Sequence, residues 1–124
     1  MDNLIIEGTG KTPDIRFNAS GAIEIGGKSI PENSIGFYQP LYNWIDEYVR
    51  NAADNTDVKI SLEYFNTSSS KCLLDILRKL EALQKSGKSK VNISWYYEAD
   101  DEDMMEAGQD YDSLVDLPFH IISL

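Results

Sequence analysis

Two runs of strict apolar–polar alternation, separated by a leucine stripe of helical period, constrain this 124-residue chain more than any other feature. Val58, Ile60, Leu62 and Tyr64 alternate with Lys59, Ser61 and Glu63, the pattern of a strand with one buried face. Leu73, Ile76, Leu77, Leu80 and Leu83 then share a helical stripe, with Asp75, Arg78, Lys79 and Lys85 largely off it. Gly87 is a natural stop. Val91, Ile93, Trp95 and Tyr97 resume the alternation. A strand, a helix and a strand in that order pair in parallel through a right-handed crossover.

The flanks extend this unit. Leu4-Ile5-Ile6-Glu7 is a short apolar run. Ile15 and Phe17, then Ile23 and Ile25, alternate across Asn18-Ala19-Ser20-Gly21, which is turn chemistry and predicts an antiparallel hairpin. Phe37, Leu41, Trp44, Ile45 and Tyr48 recur at helical spacing. Pro40 conflicts with that helix: either the helix starts late, with Pro40 in its first turn, or it kinks there. Tyr38 and Tyr42 on this helix fit an interface or a core equally well. Asp100 to Asp103 opens a third helix with stripe Met104, Gly108, Tyr111 and Val115; Pro118 ends it, and 119–124 reads as a last strand. The expected fold class is α/β. It is a single-domain mixed β-sheet over residues 1–124, of order β-β-β-α-β-α-β-α-β, with helices mainly on one face.

Charge limits the partners. Twenty-one acids against eleven bases give a formal net charge of −10. Such a surface repels phosphate backbones and anionic lipid, so no nucleic acid and no membrane is expected as a partner. No apolar run reaches the ~20 residues of a spanning helix, and Met1-Asp2-Asn3-Leu4 lacks the basic start of a secretory signal. Cys72 has no second cysteine to pair with, which fits a reducing cytoplasm.

Three features carry possible chemistry. Asn66-Thr67-Ser68-Ser69-Ser70-Lys71 lies where a strand hands over to a helix. The first turn of a helix has unpaired N–H groups and the positive end of the dipole, so it suits a capping hydroxyl and equally a phosphate, with Lys71 nearby. A phosphate on Thr67 adds about −1.5 to −2 charges. At a helix start the dipole favours it by about 0.3–1 kcal/mol, so it acts on a partner rather than on the fold.

The second feature is residues 98–116, with Glu98, Asp100, Asp101, Glu102, Asp103, Glu106, Asp110, Asp112 and Asp116 and no Lys or Arg. A cation-responsive docking module is one reading. A helix start plus a solvated face is another, and the spacing is not that of an EF-hand loop. The third is a catalytic pair of His120, the one histidine, with a hydroxyl of Ser68 to Ser70. That pair would make the chain a small hydrolase or transferase. No Gly-x-Ser-x-Gly elbow, phosphate loop or dinucleotide fingerprint accompanies it. No cofactor is expected.

Several stretches, in order and over nearly the whole chain, give a resemblance. They are Thr12-Pro13, Ser29-Ile30-Pro31-Glu32-Asn33, and above all Tyr64-Phe65-Asn66-Thr67-Ser68-Ser69-Ser70-Lys71. Trp95-Tyr96-Tyr97-Glu98, Asp100-Asp101-Glu102-Asp103-Met104 and Leu117-Pro118-Phe119 continue it. The chain resembles the SiaC-like family of regulatory phosphoproteins of bacterial partner-switching pathways. The resemblance implies a fold similar to the STAS domains of anti-sigma-factor antagonists and a protein that is not itself an enzyme. It implies Thr67 as the phosphate acceptor, with Asn66, Ser68, Ser69, Ser70 and Lys71 around the phosphate or the partner. Ser68 and Ser69 stay open as alternative acceptors. It also implies a serine/threonine kinase of the histidine-kinase-like ATPase type, a PP2C-type phosphatase, and a diguanylate cyclase activated by the unmodified form. Cyclic di-GMP signalling and biofilm regulation follow from that last partner.

Overall fold

A computed structural model describes residues 1–124. Its elements are β1 (Leu4–Ile6), β2 (Asp14–Phe17), β3 (Ala22–Ser29), α1 (Ser34–Tyr48), β4 (Asn55–Phe65), α2 (Thr67–Ser86), β5 (Lys90–Tyr97), α3 (Glu102–Leu114) and β6 (Phe119–Ser123). A single 3-10 turn, Val49–Asn51, follows α1. The order is the one the alternation and the stripes imply.

The six strands lie in the sheet in chain order. The first three pair antiparallel, and β3 to β6 are parallel. Three crossovers therefore step the same way across the sheet. Right-handed connections then put all three helices on one face. Register and burial agree. Ile23, Val58, Ile93 and Phe119 form one lateral row, and Ile25, Ile60, Trp95 and Ile121 the next. These rows meet Leu41, Ile45, Leu73, Ile76, Leu77, Leu80 and Tyr111 in one core of 25 buried residues. Burying each such aliphatic side chain contributes roughly 1.5–3 kcal/mol. The row between them, Arg16, Glu24, Lys59, Ser94 and His120, lies on the opposite face, which no helix covers.

Two local features depart from simple periodicity. The β3–β4 register shifts between Gly27 and Lys28, because Leu62 pairs with Gly27 and Tyr64 with Lys28. Glu63 is the extra residue of a bulge, and a bulge reverses which face later residues take. Tyr64, expected on the inner face, is therefore 57% exposed. Phe65 turns inward against Trp95 and Tyr111. The late start of α1 is also overturned. The helix begins at Ser34 and runs on through Pro40 in its second turn. The missing N–H leaves the Gly36 carbonyl without a helical partner. Gly36 and Pro40 are both exposed, so the carbonyl is left open to solvent rather than buried without a partner.

All three strand-to-helix junctions of the parallel part leave helix N-termini at the same end of the sheet. Asparagine or aspartate caps each one: Asn33 accepts from Gly36 N, Asn66 from Ser69 N, and Asp101 from Met104 N. Helix α2 ends on Gly87 in the left-handed region, at φ 78°.

Helix α3 closes on the sheet through one glycine. A Cβ at Gly108 would lie 2.5 Å from Trp95 Cδ1, and the indole is held by its Nε1–H donating to the Met104 carbonyl at 2.9 Å. Gly108→Ala is expected to lower unfolding free energy by about 1–3 kcal/mol in urea titration, the usual cost of overpacking. A change within 0.5 kcal/mol would show that α3 can move away from Trp95 freely.

Candidate functional site

The site grows from the turn after β4. Asn66 is extended, at φ −85° and ψ 174°, and its Oδ1 accepts the Ser69 N–H at 2.8 Å. Its own N–H donates to the Ser29 carbonyl at 3.0 Å, which fixes the turn to the end of β3. Thr67 is thereby the first residue of α2.

The four hydroxyls that follow Asn66 have different fates. Ser69 is fully buried, and Ser29 Oγ donates to its Oγ at 2.8 Å. Ser29 has one proton, so the 2.7 Å contact with Tyr38 is a bond donated by the tyrosine. Burial pushes the Tyr38 hydroxyl up to about 12, against the opposing effect of its bond with Ser29. Tyr111 Oη donates to the Ser70 carbonyl at 2.9 Å, so the Ser70 hydroxyl is the donor in the 3.0 Å contact with Tyr111. Burial raises Tyr111 as well. Ser68 is exposed, but it donates to Asn66 Oδ1 at 3.2 Å and lies 2.7 Å from Ser34 Oγ in the first turn of α1. Thr67 is exposed and its hydroxyl takes part in none of these bonds.

Beside Thr67 runs a cleft of about 810 Å³ between α1 and α2. Ile35 and Tyr42 line it from α1, and Asn66, Thr67, Ser68, Lys71, Cys72 and Asp75 from α2 and its cap. Ile35 is 72% exposed, unusual for an isoleucine in the first turn of a packed helix. Tyr42 donates to Asp75 Oδ2 at 3.2 Å, and burial, then the neighbouring Cys72 and Asp75, pushes its pKa well above the ordinary tyrosine value. Lys71 stands one turn beyond Thr67, exposed and in none of the chain's salt bridges. Thr67, Ser68 and Lys71 thus share a rim, while Ser69 and Ser70 serve packing.

Two other expectations meet the structure here. His120 does not join the serines. It pairs with Ser94 on the face without helices, and the sheet separates it from hydroxyls whose partners are Ser29, Ser34 and Tyr111. The serine–histidine pair is overturned. The acids of residues 98–116 do not converge either: no three His, Cys, Asp or Glu side chains come together as ligands. Asp101 caps α3, and Glu102 and Asp103 sit in its first turn, at the positive end of the dipole. Sequence reasoning did not find Ser29, Ser34 or Ile35 as parts of the site, and left Tyr38 open between core and interface, where the structure buries it. No helix is long and apolar enough to cross a membrane.

The family model described as SiaC family regulatory phosphoprotein matches residues 6–124. An uncharacterized protein of Pseudomonas aeruginosa (strain UCBPP-PA14) is 30% identical over 122 residues, covering 98% of this chain and 96% of that protein. The solved structure of SiaC of Pseudomonas aeruginosa superposes with a TM-score of 0.90 at 29% identity, covering 100% of both chains. A crystal structure of diguanylate cyclase SiaD in complex with its activator SiaC, from the same organism, matches with a TM-score of 0.91 at 30% identity. That match covers 98% of this chain and 99% of the other.

The buried tyrosine gives a pH signature. An unfolded tyrosine ionises near 10, whereas Tyr38 keeps its proton to about 12. A raised folded-state value contributes stability that is whole below 10 and is lost as pH rises towards 12. Unfolding free energy measured from pH 9 to 12 is expected to fall, and Tyr38→Phe to make that fall shallower. An equal slope in both proteins would mean the Tyr38 hydroxyl ionises in the folded state as freely as in the unfolded one.

Proposed function

The chain belongs to the SiaC family of regulatory phosphoproteins, and on that footing we propose that it is a non-enzymatic switch whose phosphate acceptor is Thr67. The unmodified form binds and activates a diguanylate cyclase, as SiaC of Pseudomonas aeruginosa is the activator of SiaD. A serine/threonine kinase of the histidine-kinase-like ATPase type adds the phosphate, and a PP2C-type phosphatase removes it. Both act on the cytoplasmic protein.

One observation carries the reading. Of four consecutive hydroxyls at the start of α2, only the Thr67 hydroxyl is both exposed and without a partner in the chain. Ser69, an alternative acceptor in sequence, is fully buried under Ser29 and Tyr38. A phosphate on Thr67 meets the free N–H groups and the positive dipole end of α2, with Lys71 one turn on. Nothing in the core has to move to admit it. The rim of the cleft beside Ile35 and Tyr42 changes from a neutral hydroxyl to a dianion. A partner that packs on that rim must then desolvate the charge or leave.

The test is binding of the cyclase to wild type, Thr67→Ala and Thr67→Glu, read by calorimetry. Thr67→Ala is expected to bind within threefold of wild type. Thr67→Glu is expected to weaken binding about a hundredfold, or roughly 2.8 kcal/mol, with its melting temperature within a few degrees of wild type. Equal affinity for all three would remove Thr67 from the partner surface.

A further inference from the structure

We propose that Ser34 is a specificity-determining residue: by holding the Ser68 hydroxyl it confines phosphoryl transfer to Thr67. The inference rests on the proposed modification of Thr67. Exposure alone does not separate the two acceptors, because Thr67 and Ser68 are adjacent, both exposed, and both on the rim of the α1–α2 cleft.

Chemistry separates them. In the transfer the acceptor Oγ forms a bond to the γ-phosphorus of a nucleoside triphosphate. The bond from that phosphorus to the β–γ bridging oxygen breaks, and the nucleoside diphosphate leaves with its electron pair. The hydroxyl proton passes to a base of the kinase. The acceptor must therefore turn a lone pair to phosphorus and its proton to that base. Ser68 has its one proton and one of its two lone pairs engaged, so it must give up bonds before it can react. Its proton is on the Asn66 Oδ1 side at 3.2 Å, and one lone pair receives Ser34 Oγ–H at 2.7 Å. Ser34 is only 5% exposed, so its hydroxyl has little water to turn to if Ser68 leaves. Breaking that bond strands a buried donor, which is dearer than losing a solvated one. Thr67 meets no such barrier.

Phosphosite mapping by fragmentation mass spectrometry, on tagged chain expressed in its native cell, tests this. Wild type is expected to carry phosphate on Thr67 alone. Thr67→Ala is expected to show less than a tenth of that level on Ser68, although Ser68 is intact and exposed. Thr67→Ala with Ser34→Ala is expected to raise Ser68 phosphate at least fivefold over Thr67→Ala. Thr67→Ala with Ser34→Thr, which restores a hydroxyl at position 34, is expected to bring it back down. Ser68 phosphate in Thr67→Ala at the wild-type Thr67 level overturns the proposal, and does so without any change at Ser34. So does a folded double variant, checked by its melting curve, with no gain over Thr67→Ala. A gain that Ser34→Thr leaves in place assigns the effect to loosened packing and also overturns it. Wild type without phosphate on Thr67 in any growth phase overturns the reading of Thr67 itself.

Discussion

Three buried hydroxyls, on Ser29, Tyr38 and Ser69, hold the start of α2 against the end of β3 and the first turns of α1. The site depends on this contact. Every buried side-chain nitrogen and oxygen in the chain has a partner. Each such bond contributes about 0.5–1.5 kcal/mol net, while an orphaned one costs about 1–3 kcal/mol. The network therefore fixes one arrangement of β3, α1 and α2 more than it adds stability. With Ser69 held inward, helical geometry turns Thr67 outward two residues earlier. The first residue of α2 is presented on a rim rather than tucked under α1.

The sheet supplies the second constraint. Its strands run in chain order, so every parallel crossover steps the same way and every helix N-terminus of that part falls at one end. Asn33 and Asn66 cap neighbouring helices there, and Ser34 reaches Ser68 across the gap. A negative group added at this end meets dipoles that favour it. The fold thus tolerates a charge at this end, which the proposed switch by modification requires.

Sequence made the architecture legible because burial on one face of a sheet and one stripe of a helix leaves periods of two and 3.6. Val58 to Leu62 and Leu73 to Leu83 obey them and fold as expected. Tyr64 departs from the alternation because one extra residue, Glu63, inverts it without any turn signal. Pro40 left two readings open in sequence, and the helix runs on through it because the penalty is small where the freed carbonyl at Gly36 is exposed. The place of the hydroxyl run was legible from cap chemistry, and the family resemblance singled out Thr67 within it. The partners of the serines were not legible. Ser29 with Ser69, Ser34 with Ser68 and Ser70 with Tyr111 are 34 to 41 residues apart, and a single hydroxyl pair leaves no period. His120 fails for the converse reason: parity along β6 puts it on the bare face, whatever its distance in sequence.

The central claim is that a phosphate on Thr67 changes a surface and leaves the fold alone. The most direct measurement is amide NMR with hydrogen exchange on the chain phosphorylated stoichiometrically at Thr67, against the unmodified chain. The account predicts shifts confined to residues around 33–36 and 66–72, with protection in β3, β4, β5 and the body of α2 unchanged. Loss of protection through α2 or the sheet would contradict it, because the phosphate would then act by undoing the fold.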